Sequence, residues 1–146
     1  SGLGLLDMEV TFAQEKRTRQ ATGRVECAEG WLKNADGMLV DGYEIHAGQN
    51  QFGPRCVPWM RMDGEIDGVR NPDGNVMGSY LHGLFDDGQL FGCIAAHVRA
   101  QKGLDAAAEK PLTLDAFRER EFDRIAAIVR EGLDMDAIYA IIRGER

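Results

Sequence analysis

The periodicity of the chain changes once, near residue 86, and that switch limits the fold more than any other feature. Before it lie most of the 18 glycines, three of the four prolines, and Asp-Gly pairs at Asp36-Gly37, Asp41-Gly42, Asp63-Gly64 and Asp73-Gly74. Between these pairs run β-compatible segments: Met8–Phe12, Gly23–Ala28, Leu39–His46, Cys56–Met62 and Val76–Leu81. Short apolar runs punctuated by Asp-Gly predict hairpins or a meander. Beyond residue 86 the spacing becomes helical. Leu90, Phe91, Ile94, Ala95 and Val98 share one face of a helix predicted to stop near Gly103. Phe117, Phe122, Ile125, Ile128 and Val129 mark a second helix, with Thr113 or Asp115 as its cap and Gly132 near its end. Asp134 is placed to cap a short third helix carrying Ile138, Ile141 and Ile142. The expected layout is one α/β domain, β-rich over 1–85 and helical over 86–146.

A length of 146 residues suffices for one domain with a sizeable core. The net charge of −7 leaves no basic footprint for phosphates, so no nucleic-acid partner is expected. No apolar run is long enough to cross a bilayer, and no membrane partner is expected either. The three cysteines, Cys27, Cys56 and Cys93, are odd in number and widely spaced. That excludes a C-x-x-C motif, argues against a disulfide framework and fits a reducing cytoplasm. The opening Ser1-Gly2-Leu3-Gly4-Leu5-Leu6-Asp7 reads as the middle of a longer chain.

Chemistry concentrates at Gly78-Ser79-Tyr80-Leu81-His82-Gly83-Leu84-Phe85, where a strand-like run ends on a histidine backed by glycine. Such a histidine is placed for proton transfer, with room beside it for another backbone or a substrate. A second histidine lies in a similar setting, Gly42-Tyr43-Glu44-Ile45-His46-Ala47-Gly48. A histidine base needs a nucleophile, and none is evident here. Cys27 falls in a strand-like run, Cys56 lies close to two prolines, and Cys93 sits on a predicted helix. None has the small-residue context of a nucleophile elbow, so each is read as a buried small hydrophobe. Ser79 is three residues from His82 on the same strand. His46, His82 and His97 lack zinc-site spacing, and His97 is read as structural. No phosphate-cradling glycine loop occurs.

The order of these segments carries a resemblance. Gly2-Leu3-Gly4-Leu5-Leu6-Asp7, Thr11-Phe12, Glu15-Lys16, the Gly42–Gly48 segment and Tyr80–Phe85, followed by Phe122-Asp123-Arg124-Ile125-Ala126 and Leu133-Asp134-Met135-Asp136, resemble the glutamine amidotransferase domain of the cobyric acid synthase family. The resemblance spans nearly the whole chain. It implies the second half of a class I, triad-type glutaminase with a flavodoxin-like three-layer α/β fold. It further implies a cysteine nucleophile in a Gly-x-Cys-Gly-Gly elbow upstream of residue 1. An N-terminal synthetase domain of the same protein is implied as partner; it would bind ATP and Mg and use the released ammonia to amidate corrinoid carboxylates during cobalamin biosynthesis. No cofactor is expected in this segment itself. Related alternatives are the glutaminase domain of a cobyrinic acid a,c-diamide synthase and a non-catalytic interaction domain of the same fold.

By this resemblance His82 is the catalytic base. The wider class carries His-x-Glu, whereas position 84 is Leu, so the group that orients the imidazole is open: Glu44 or a backbone carbonyl. Glutamine binding is expected of His46, Glu44, Gly83 and Tyr80, with His46 alternatively only fixing a loop. Glu44 and His46 alternate along one strand and so face one side, with Tyr43 opposite and expected in the core. Trp31 and Trp59 are read as packing residues, and the Arg118–Arg124 charge run as a solvated helix face. Lys16, Arg17, Arg19 and Arg24 form a basic cluster that could dock a synthetase domain. Unpaired sheet edges in an isolated chain also admit a swapped or homo-oligomeric assembly.

Overall fold

In the computed structural model, residues 2–27, 29–105 and 112–145 are described. The order is β1 (Met8–Val25), a 3-10 segment (Gly30–Ala35), β2 (Leu39–Phe52), β3 (Val57–Met62), β4 (Glu65–Arg70), β5 (Met77–Gly78), β6 (Leu81–His82), α1 (Gln89–Gln101), α2 (Leu114–Gly132) and α3 (Met135–Ile142). A β-rich part is thus followed by helices, as the change of period predicted. The residues form two compact units, 1–111 and 112–146.

Within the first unit the six strands make one antiparallel sheet in the order β5-β4-β3-β1-β2-β6. Its edge strands β5 and β6 are separated in sequence only by Ser79 and Tyr80. Three residue steps reach at most about 11 Å, so the sheet has to curl until its two edges nearly meet. The core lies on the inside of this curl: Val25, Leu32, Val40, Trp59, Met60, Met62 and Leu81 are buried together with Leu90 of α1. Cys93 and Ile94 on α1 pack against that cluster from its edge.

Several strand boundaries differ from those expected. Met8–Phe12 and the run from Gly23 belong to one 18-residue strand, β1, whose pairing with β2 shifts register between Phe12 and Arg17. Ala28, at the end of that run, lies outside the described residues. Between these two runs Gln14–Thr22 is polar apart from Ala21 and holds no buried residue, so this stretch carries no apolar alternation for a sequence reading to detect. β4, which was not anticipated, forms a hairpin with β3 through Asp63-Gly64. Both turn residues have positive φ, 52° and 83°, the backbone of a type I′ turn. Asp41-Gly42 was expected as a turn but lies inside β2. Among the cysteines, only Cys27 is fully buried; Cys56 and Cys93 are half-buried. Tyr43, expected in the core, is 41% exposed. Trp59 is a core residue, and Trp31 is half-buried.

In the second unit, Thr113 caps α2 by accepting from the Ala116 amide at 3.1 Å, and Asp134 caps α3 by accepting from the Ala137 amide at 3.0 Å. Both fix otherwise unsatisfied first-turn amides. Arg118, Arg120 and Arg124 are exposed on α2, and Arg124 pairs with Glu121 at 2.9 Å.

Candidate active site around beta strands 2 and 6

The two histidine segments meet across the β2–β6 pair, where Tyr43 lies opposite His82 and Glu44 opposite Leu81. Directly opposed residues of an antiparallel pair share a face, and successive residues alternate. Tyr43 and His82 therefore project from one side of the sheet and Glu44 from the other, with His46 on the Glu44 side. The aromatic contacts follow this division. Tyr43 and His82 stack with ring centroids 5.0 Å apart and planes 8° from parallel. His46 and Tyr80 stack at 3.8 Å and 4°.

Two glycines of β2 make this approach possible. A Cβ at Gly42 would drive into the His82 carbonyl oxygen and meet Leu81 Cδ1 at 3.0 Å. One at Gly48 would run into the Tyr80 hydroxyl and meet Val10 Cγ1 at 2.8 Å. Aspartate before Gly42 suggested a turn; the physical requirement is instead a flat place on β2 where the β6 backbone lies down. After His82 the chain bends away at Gly83, whose φ of 87° suits glycine. The Asp86 amide then donates to the Gly83 carbonyl at 3.0 Å.

On the Glu44 side is a charged cavity of about 240 Å³, lined by Arg17, Arg19, Glu44, His46, Asp67 and Tyr80 among others. Glu44 is only 2% exposed. Its carboxylate accepts from the Arg19 guanidinium, lies 3.2 Å from Arg17 Nε and 3.3 Å from His46 Nε2. The other ring nitrogen of His46 is 2.8 Å from the Gly48 carbonyl oxygen. Burial alone would push the Glu44 carboxyl upward; hydrogen bonds from Arg19 and His46, and the charges of Arg17 and Arg19, outweigh it and hold the group below the usual carboxylate range. The Arg19 guanidinium is raised in turn, by its hydrogen bonds to Glu44 and then Asp63. Burial, followed by the charge of Asp67, raises the Tyr80 phenol.

The structure thus brings Glu44, His46 and Tyr80 together and sets His82 and Gly83 apart from them. Glu44 is committed to Arg19, Arg17 and His46 and projects from the opposite face of β2 to His82, so it is not the group that orients the His82 ring. Of the basic cluster, Arg17 and Arg19 turn to Glu44, and Arg19 also to Asp63. His82 is exposed, and among the described residues its imidazole makes no hydrogen bond; its ring contact is Tyr43. Neither Tyr43 nor Asp67 was singled out as part of the site. Tyr43 was hidden by its apolar character, and Asp67 because the donors that mark it, Ser79 and Tyr80, lie well along the chain from it.

Chemically, an exposed imidazole held flat by an aromatic ring can accept and return a proton. In the charged cavity the Glu44 carboxylate is already neutralised by Arg17 and Arg19. Cobyric acid synthase from Alkaliphilus metalliredigens (strain QYMF) is 36% identical over 160 residues, covering 99% of this chain and 30% of that protein. The Citrobacter koseri cobyric acid synthase is 37% identical, covering 99% and 29%, and the Clostridium botulinum one 40% identical, covering 97% and 28%. The chain spans about three-tenths of the length of these curated relatives. Residues 1–90, which include both histidine segments and all six strands, match the family described as the CobB/CobQ-like glutamine amidotransferase domain. By that match the chain belongs to the CobB/CobQ-like glutamine amidotransferases, with their class I amidotransferase-like α/β fold.

Proposed function

We propose that this chain supplies the histidine of a Cys–His glutaminase and works within a longer polypeptide, a cobyric acid synthase. The observation that carries the proposal is the placement of His82: exposed, at the end of an edge strand, stacked on Tyr43, in a chain of this family. In the proposed cycle His82 accepts the proton of a cysteine thiol. The thiolate attacks the side-chain amide carbon of glutamine, and the resulting tetrahedral species collapses as His82 protonates the departing ammonia. Water, deprotonated by the same imidazole, then attacks the thioester, releasing glutamate and regenerating the thiol. Net, glutamine and water give glutamate and ammonia.

With Leu at position 84 no carboxylate fixes the imidazole at the usual spacing. Tyr43 takes over part of that role by limiting rotation of the ring. Gly83, beside the base, leaves room for the substrate backbone. Glu44, His46 and Tyr80 support β2 from behind rather than touching the reacting amide. The nucleophile is assigned outside residues 1–146. Cys27 is in the core, the Cys56 thiol points to the Asp7 carbonyl oxygen at 3.1 Å, and Cys93 lies on α1. The ammonia would serve an ATP-dependent synthetase domain that amidates corrinoid carboxylates. No loop of this chain has the make-up of a phosphate cradle, so no step through ATP or Mg is assigned to it.

Labelling of the full-length protein with a glutamine-like chloroketone tests this reading. The modified peptide should contain a cysteine outside residues 1–146, and labelling should track loss of glutamine-dependent ammonia release. Stoichiometric modification of Cys27, Cys56 or Cys93 with that same loss would overturn it.

A further inference from the structure

One buried acid has no part in the scheme above. Asp67 lies on β4, 9% exposed, and faces the seam where the curled sheet's two edges approach. β4 and β5 pair Arg70 with Met77 and Val69 with Gly78. Each step back along β4 advances one along β5, so Asp67 falls opposite Tyr80. The ladder does not continue that far, because after Gly78 the chain leaves β4 and joins β2 as β6. At that point the Asp67 carboxylate substitutes for the lost partner strand. It accepts the Tyr80 amide, with Oδ2 at 3.1 Å and Oδ1 at 3.3 Å, and it accepts the Ser79 hydroxyl. Ser79 Oγ in turn accepts the Leu81 amide at 2.9 Å.

These bonds run in series from β4 through Ser79, Tyr80 and Leu81 to the residue immediately before His82. A charged acceptor taking several donors is among the stronger of such contacts, and its burial makes each one costly to break. The other restraints on this stretch are the burial of Leu81 in the core, the Val69–Gly78 pair where β5 ends and, on the β2 side, Gly42 under the His82 carbonyl, Gly48 under the Tyr80 hydroxyl and the two ring stacks. Asp67 is thus the anchor from the opposite sheet edge. Without it, Ser79 and Tyr80 are free to shift along the seam, and β6, only two residues long, shifts with them.

We infer that Asp67 is a positioning residue for His82: it closes the seam of the sheet and sets the height at which the imidazole stands on β2. The inference rests on the assignment of His82 as the base. A displacement of about 1 Å at a reacting group costs on the order of 100-fold in rate.

The test uses the full-length protein. Asp67→Ala should lower glutamine-dependent turnover by on the order of 100-fold, mainly in kcat, with ammonia-dependent amidation within about two-fold of wild type. Asp67→Asn, which keeps a carbonyl oxygen for the Tyr80 amide, should recover a large part of the loss. The same order should appear in NMR of histidine-labelled protein. The ring-current shift that Tyr43 imposes on the His82 protons should be lost in Asp67→Ala and retained in Asp67→Asn. If Asp67→Ala does not fold, Ser79→Ala decides, because it removes the link to the Leu81 amide and leaves the carboxylate in place. His82→Ala separates the two claims. Should it spare glutamine hydrolysis, the functional assignment fails. Should it abolish hydrolysis while Asp67→Ala (or Ser79→Ala in its stead) leaves both kcat and the His82 signals unchanged, Asp67 has no positioning role.

Discussion

Gly42→Ala is a one-carbon change whose consequence is fixed by the meeting of β2 and β6. The added Cβ would enter the His82 carbonyl oxygen and approach Leu81 Cδ1 at 3.0 Å and Cγ at 3.2 Å. A flexible side chain could swing away; the His82 carbonyl belongs to backbone and cannot. β6 therefore has to lift. Lifting it weakens two opposed backbone pairs, Tyr43–His82 and Glu44–Leu81, and pulls buried Leu81 from the core. A net hydrogen bond contributes about 1 kcal/mol, and full burial of a leucine about 2 kcal/mol. Partial loss of both, together with the overpacking that remains, predicts a cost of about 3 kcal/mol. Urea titration of the protein carrying the substitution measures that cost. Glutamine-dependent ammonia release should fall with it, because His82 rides on the displaced strand. Gly132→Ala is the matched control: nothing lies within 4 Å of its Cβ position, and its φ is not left-handed. It should be neutral or slightly stabilising, by about 0.5 kcal/mol. Wild-type stability and wild-type ammonia release in Gly42→Ala would refute the claim that a Cβ-free site on β2 is what seats His82.

Glu44 yields two further predictions. Glu44→Gln keeps the shape but removes the charge that Arg17 and Arg19 face, and it should cost about 1–3 kcal/mol in urea unfolding at pH 7; an unchanged midpoint would show that the network contributes nothing. The Glu44 carboxyl is lowered in the folded protein from its ordinary 4.5, so the unfolded chain takes up the proton first. The stability it contributes is present above about pH 4.5 and is lost as pH falls toward the lowered folded value. Unfolding free energies of wild type and Glu44→Gln should therefore converge on acidification, and parallel curves down to pH 3 would contradict the assignment.

The helices were legible because α1, α2 and α3 announce themselves by spacing and by cap residues such as Thr113 and Asp134. The strand character of the segments around His46 and His82 was legible from residue type. Their mutual arrangement was not. Whether Tyr43 packs inward or on His82 depends on which edge β6 joins, and that is a long-range choice between β4 and β2. Within β1 the stretch Gln14–Thr22 escaped notice because it is polar apart from Ala21 and holds no buried residue. Asp41-Gly42 misled because the same dipeptide serves a turn at Asp63-Gly64 and a close strand approach at Gly42. Asp67 was invisible for a different reason: a buried acid is recognised only by its donors, and Ser79 and Tyr80 meet it through tertiary contact.

The role proposed for His82 as the base of the glutaminase underlies every other functional role given to this chain. In the full-length protein, His82→Ala assayed side by side with glutamine and with ammonia as nitrogen donor measures this directly. Glutamine-dependent amidation should be abolished while ammonia-dependent amidation persists near the wild-type rate. Retention of glutamine-dependent amidation, or equal loss with both donors, would contradict that role.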